Sequence, residues 1–217
     1  MTAQPLPEPC VFVVDDDRSI LTAFSRLLGA AGYKVRTYSS PSDFLAAHDS
    51  TVPGCALFDV GMSEMDGLAL QERLHHEGVD RPVIFVTGQD DLRNGIRAMK
   101  AGAMDYLSKP VQEEALLQAV GNAVELDRLA RHERMEIDSL TRRIEDLTPR
   151  EREVMGHVVH GRLNKQIAND LGVVEKTVKV HRARVMEKMQ VRSVAALVQI
   201  ADRLTKSGFD LDAVDKP

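Results

Sequence analysis

Val11-Phe12-Val13-Val14-Asp15-Asp16 sets four apolar residues directly before two carboxylates, and the same pattern recurs through the first half of the chain. Asp59 follows Cys55-Ala56-Leu57-Phe58, Thr87 follows Val83-Ile84-Phe85-Val86, and Lys109 stands just past Met104-Asp105-Tyr106-Leu107. Apolar runs of about four residues separated by amphipathic stretches read as buried strands of a parallel sheet with helical crossovers. Ligands bind such sheets outside the carboxyl ends of the strands. The polar residues at those ends are therefore expected to converge on one site. Three carboxylates brought together repel one another unless a divalent cation holds them, and hard oxygen ligands suit Mg²⁺. A carboxylate can also act as a nucleophile and become an aspartyl phosphate. A neighbouring Lys and Thr would then neutralise and hydrogen-bond the phosphoryl oxygens.

Working outward, the pattern predicts five βα units. Strand one covers about 10–14 and is followed by a helix over 18–31 with Ile20, Leu21, Phe24, Leu27 and Leu28 on one face. Gly32 ends it before a short strand at 33–37, and Pro41 opens a small helix that buries Phe44 and Leu45. Strand three, about 55–58, leads to Gly67 and a helix carrying Leu68, Leu70 and Leu74. Pro82 precedes strand four, a helix over 90–101 ends at Gly102, and strand five at 104–107 runs into Lys109-Pro110. The residue before Pro is driven to extended geometry, which suits a Lys109 that points back at the site. Right-handed crossovers make this a doubly wound, three-layer sandwich.

Charge divides the 217 residues in two. Residues 1–110 hold 10 Lys+Arg against 15 Asp+Glu, whereas 147–206 hold 12 against 6, so a formal net charge of −5 conceals a basic module. A basic face on a small helical unit is the electrostatic footprint of nucleic-acid binding. Cys10 and Cys55 both open core strands and read as buried thiols in a reducing compartment. Residues 1–9 hold three prolines and no apolar core, a flexible leader rather than a signal peptide, and 207–217 read as a flexible acidic tail. No apolar run approaches a membrane span. A cytoplasmic protein is expected.

The basic module reads as four helices. Thr148, Pro149 and Glu151 form a capping box at a helix start, and Val154, Met155, Val158 and Val159 follow before Gly161. Asn164 is expected to cap a helix with Ile167, Ala168 and Leu171, Gly172 makes the turn, 175–189 forms a third helix, and Ser193 starts a fourth. A scaffold helix, a Gly turn and a basic second helix describe a helix-turn-helix. Lys179, Val180 and Ala183 share the face that would enter the major groove, with Lys179 donating to a purine edge and the two apolar residues on thymine methyls. Lys165, Thr177, Arg182 and Arg184 are placed for phosphates. His181 reads as structural or phosphate-contacting ahead of base-reading. Between the domains, 111–146 contains no Pro and one Gly, and Leu116, Ala119, Ala123, Leu126, Ala130, Ile137, Leu140, Ile144 and Leu147 fit a seven-residue repeat interrupted at Glu133. That repeat suggests a long helix and a two-stranded coiled coil, or a single bridging helix.

Val14-Asp15-Asp16-Asp17, the stretch from Asp59 to Gly67, Val86-Thr87-Gly88 and the stretch from Ala103 to Pro110 resemble the receiver domain of two-component response regulators, over residues 10–120. Asn164-Lys165-Gln166-Ile167-Ala168, Leu171-Gly172-Val173 and Thr177-Val178-Lys179-Val180-His181-Arg182 are similar to LuxR-type DNA-binding domains, over 147–206. Together the chain resembles NarL/FixJ-type response regulators. The resemblance implies a flavodoxin-like receiver with Asp59 phosphorylated by a sensor histidine kinase. It implies Mg²⁺ bound directly by Asp16, through water by Asp15, and completed by Asp59 and the Gly61 carbonyl. Lys109 would pair with the phosphate, Thr87 would move towards it, and Tyr106 would be the switch aromatic. The partners implied are double-stranded promoter DNA and a second copy of the chain on phosphorylation, with RNA polymerase a further candidate. Catalysis would be confined to self-phosphorylation and autodephosphorylation. Two departures stand out: Ser63 where the family usually has Pro, and Gly61 where many members carry a polar side chain. A phosphatase of the haloacid dehalogenase class, which also uses an Asp nucleophile, would need an Asp where Gly61 stands.

Overall fold

A computed structural model describes residues 7–88, 97–100 and 102–209, and the chain divides into two compact units, Met1–Arg131 and His132–Pro217. In the first, β1 (Cys10–Val14), β2 (Lys34–Tyr38), β3 (Gly54–Asp59), β4 (Val83–Thr87) and β5 (Asp105–Ser108) form one sheet in the order β2-β1-β3-β4-β5. Each neighbouring pair is parallel, with Val14 beside Phe58 and Thr87 beside Ser108. This is the flavodoxin-like order, whose switch point lies between β1 and β3. The expected strand at 33–37 sits one residue later. The expected helix over 90–101 lies mostly outside the described residues, as do most of the leader and tail.

β1, β3 and β4 are buried along their whole length because helices cover both faces. One face packs Phe12, Phe58 and Phe85 against Phe44 of α2 (Pro41–Ala47) and Leu68, Leu70 and Leu74 of α3 (Gly67–His76). The other packs Val11, Val13, Leu57 and Ile84 against Leu21, Phe24 and Leu28 of α1 (Arg18–Ala30) and against Leu116, Ala119, Val120 and Ala123 of α4 (Glu113–Glu145). Each fully buried Leu or Phe contributes roughly 1.5–3 kcal/mol, so these two layers supply most of what offsets the ordering of the strands. Asp17 caps α1, Ser40 caps α2 and Asp66 caps α3 through side-chain oxygens.

The edge of the sheet opposite the carboxyl ends is held by buried charges that the sequence reading did not single out. Arg81 is 6 % exposed, lies 4.3 Å from the Phe12 ring centroid, and donates to the carbonyls of Asp49, Val52 and Gly54 and to His48 Nε2. Burial lowers the Arg81 guanidinium to about 10 and, with Arg81 alongside, lowers His48 to about 4. Asp127 of α4 accepts the Gly54 N–H at 2.7 Å and the Arg131 Nε at 2.7 Å, while Arg131 donates to the carbonyls of Ser50, Thr51 and Val52. Gly54 has φ +127°, and a Cβ there would stand 1.9 Å from the Cys10 carbonyl oxygen, so no other residue fits.

The second unit contains α5 (Pro149–Val159), α6 (Asn164–Asp170), α7 (Glu175–Lys188) and α8 (Val194–Lys206), together with the part of α4 from His132 onward. Val154, Met155, Ile167, Val178, Val185, Leu197 and Leu204 share a core with Leu140 and Ile144 of α4. The four helices expected over 147–206 are present, and the end of α4 packs with them. The seven-residue repeat divides accordingly. Leu116, Ala119 and Ala123 are buried in the first unit, Leu140, Ile144 and Leu147 in the second, and Leu126 is 49 % exposed between them. Intramolecular packing accounts for six positions of the repeat.

Candidate functional site

β1, β3, β4 and β5 end at Val14, Asp59, Thr87 and Ser108, which delivers Asp15, Asp59, Thr87 and Lys109 to one edge of the sheet. Asp15, Asp59 and Thr87 are buried and Asp16 is exposed. The Lys109 Nζ donates to Asp15 Oδ2 at 2.7 Å and to Asp59 Oδ1 at 2.8 Å. The remaining oxygens are also occupied, Asp15 Oδ1 by the Asp17 N–H at 2.9 Å and Asp59 Oδ2 by the Gly61 N–H at 2.8 Å. Lys109 is itself placed by its backbone, whose N–H reaches the Thr87 carbonyl at 2.7 Å, and the Lys109–Pro110 bond is cis. Gly67 lets α3 close over the acceptor strand, since a Cβ there would sit 2.3 Å from the Asp59 carbonyl oxygen.

Ligand oxygens of Asp15, Asp16 and Asp59 lie within 4.8 Å of one another. Burial raises the Asp15 carboxyl, Lys109 and the Asp17 N–H oppose that, and the Asp59 charge adds to it; the balance is upward. Burial alone would lower Lys109, but its bonds to Asp15 and Asp59 hold it above the usual lysine range. Three acids against one ammonium leave an excess of negative charge, and the donors are all hard oxygens. The residues fit a small divalent cation. Beside Asp59 an open crevice of about 420 Å³ is lined by Gly61, Asp66, Thr87, Gly88 and Lys109. Tyr106 is half-buried against the aromatic core, and its hydroxyl is buried without a hydrogen-bond partner among the described residues.

In the second unit, Lys179, Val180 and Ala183 are exposed together on α7, as their spacing implies. Lys179 Nζ stands 3.2 Å from Glu175 Oε1, and Val180 is 45 % exposed. Lys165 on α6 and Arg184 on α7 are also exposed, and Thr177 sits half-buried in the first turn of α7. Arg182 makes a contact within the unit that its spacing does not reveal. Its guanidinium is half-buried and donates to Asn164 Oδ1 at 3.0 Å, tying the two helices of the helix-turn-helix together. Asn164 is accordingly the first residue of α6 rather than its cap; the cap position is Leu163, whose N–H is met by Gln166 Oε1. His181 is half-buried with Nδ1 unpartnered among the described residues. Thr148 and Glu151 form the expected capping box, and Glu151 is buried with Lys188 Nζ at 2.6 Å. The sequence held a signal for the Asp127–Arg131 pair in its i,i+4 spacing, but none for the loop that both residues grip.

Residues 11–121 match the response regulator receiver domain family, and residues 145–201 match the luxR family of bacterial regulatory proteins. Among curated proteins, the chain is 40 % identical to response regulator protein TmoT of Ectopseudomonas mendocina over 92 % of this chain and 91 % of that one. It is 33 % identical to transcriptional regulatory protein FixJ of Bradyrhizobium diazoefficiens over 89 % and 94 %. Among solved structures, response regulator StyR superposes with a TM-score of 0.84 at 41 % identity, covering 91 % of this chain and all of that one. The chain belongs to the response regulators. More particularly, it is a transcriptional response regulator of the NarL/FixJ type, with a receiver that implies a histidine kinase partner and a LuxR-type unit that implies DNA binding. No described helix is long and apolar enough to cross a membrane.

Proposed function

We propose that Asp59 is the phosphoryl acceptor and that its phosphorylation promotes dimerisation and promoter binding. The observation that carries this is the shared Lys109 ammonium, 2.7 Å from Asp15 and 2.8 Å from Asp59 at the mouth of the crevice. An Asp59 carboxylate oxygen attacks the phosphorus of a kinase phosphohistidine; the new O–P bond forms as the N–P bond breaks, and the imidazole leaves as the neutral base after taking a proton. Lys109 holds Asp59 in place and then neutralises a phosphoryl oxygen, while Thr87, which lines the same crevice, donates its hydroxyl to another. The Gly61 N–H fixes the second Asp59 oxygen. Asp15, Asp16, Asp59 and the Gly61 carbonyl would hold Mg²⁺, which supplies charge stabilisation at the phosphoryl group. Thr87 and Tyr106 pass the change towards the outer face of β4 and β5. Beyond self-phosphorylation and autodephosphorylation the chain turns over no substrate. It works in the cytoplasm as a dimer on paired half-sites, with RNA polymerase a further partner.

Incubation with acetyl phosphate and Mg²⁺ followed by intact-mass measurement tests the reading. The wild type gains one phosphoryl group, and Asp59→Asn gains none while keeping its thermal unfolding profile. Uptake by Asp59→Asn at the wild-type rate would sink the assignment.

A further inference from the structure

We infer that the backbone N–H of Ser63 is the positioning group for Asp16 and thereby sets the affinity of the three-carboxylate cluster for a divalent cation. The inference rests on the metal reading above. Asp15 and Asp59 are buried, and each is oriented by two donors, Lys109 Nζ and a backbone N–H. Asp16 is exposed, and its carboxylate is the third member of the same cluster. Among the described residues, the donor that reaches it is the Ser63 N–H, 3.3 Å from Asp16 Oδ2.

The donor comes from a loop that is itself tied down. Gly67 N–H donates to the Val60 carbonyl at 3.3 Å, closing the segment between β3 and α3, and Gly67 packs directly on the Asp59 backbone. The same loop therefore orients two of the three acids, Asp59 through Gly61 and Asp16 through Ser63. An exposed aspartate gives up rotamer freedom when it becomes a ligand. A donor that holds one oxygen removes part of that loss in advance and leaves the other oxygen for the ion.

Proline is the one residue that cannot donate from its backbone, so Ser63→Pro removes this contact, and Ser63→Ala retains it. A single hydrogen bond of this kind corresponds to about a two- to tenfold change in an equilibrium constant. Calorimetric titration of the full chain with Mg²⁺ should show Ser63→Pro binding more weakly by that factor and Ser63→Ala binding as the wild type does. Because proline also restricts the loop, the comparison is repeated on Asp16→Ala, where Ser63→Pro should have no further effect. Wild-type affinity in Ser63→Pro would overturn the inference. So would equal weakening by Ser63→Ala, or a proline effect that persists without Asp16. Absence of saturable Mg²⁺ binding in the wild type would instead overturn the metal reading, and this inference with it.

Discussion

The Asp127 carboxylate, on a helix that continues into the second unit, accepts the backbone N–H of Gly54 at 2.7 Å, at the foot of the strand that ends in Asp59. The two residues are 73 positions apart, and the same carboxylate oxygen also takes the Arg131 guanidinium. The acceptor strand is thus anchored at both ends, by Lys109 at its carboxyl end and by α4 at its start.

Asp127→Ala leaves a buried N–H and a largely buried guanidinium without their partner. Breaking such a pair should cost about 2–4 kcal/mol, read as a lower urea midpoint for the receiver transition. Asp127→Asn keeps an oxygen for Gly54 and should cost less than half as much.

Glu151 should make the second unit sensitive to acid. Its burial would raise the carboxyl, but Lys188 and the Thr148 N–H and hydroxyl override that and hold it at about 2, against an ordinary 4.5. A carboxyl depressed in the folded state contributes stability that is complete above the unfolded value and is lost as pH falls through the folded one. Urea unfolding of the second unit should therefore weaken between pH 4.5 and about 2. Glu151→Gln should lower stability at neutral pH and flatten that dependence.

The two sets of basic residues on the DNA-binding unit should separate by what they change. Lys179→Ala removes an exposed donor from the face shared with Val180 and Ala183. It should cost about 1–3 kcal/mol on the cognate site and relax preference at one base position. Arg184→Ala should weaken all sequences alike and reduce the salt slope by about one. Arg182→Ala should do more than Arg184→Ala, because it also releases Asn164 and with it the crossing of α6 on α7. Equilibrium binding to cognate and scrambled duplexes at several salt concentrations distinguishes the three.

Gly61 should lengthen the life of the phosphorylated state. It has no side chain to orient the attacking water over Asp59, and well-placed nucleophiles are worth several kcal/mol. A Cβ at this position would lie 3.4 Å from Asp59 Oδ2, an ordinary contact, so Gly61→Asn fits without displacing the acid. Decay followed on phosphate-affinity gels should take minutes to hours in the wild type and run several-fold faster in Gly61→Asn.

What the sequence by itself determined is what local patterns encode. A buried parallel strand must be apolar over four or five residues, so β1, β3 and β4 stood out, and with them the positions of Asp15, Asp59 and Thr87. Helix caps are equally local, and Thr148, Ser193 and Gly172 were legible for that reason. Tertiary structure decided what depends on partners far apart in the chain. The repeat in α4 carries the same apolar spacing whether a helix packs on another chain or on its own domain, and only the fold showed Ala123 against one core and Ile144 in another. The Asn164 side chain can accept a hydrogen bond and so suits a cap, but in the fold that oxygen accepts from Arg182, 18 positions away. Arg81 reads as an ordinary surface charge until Phe12 and three carbonyls enclose it. A side chain's type limits which bonds it can make, and the fold alone determines which groups arrive to make them.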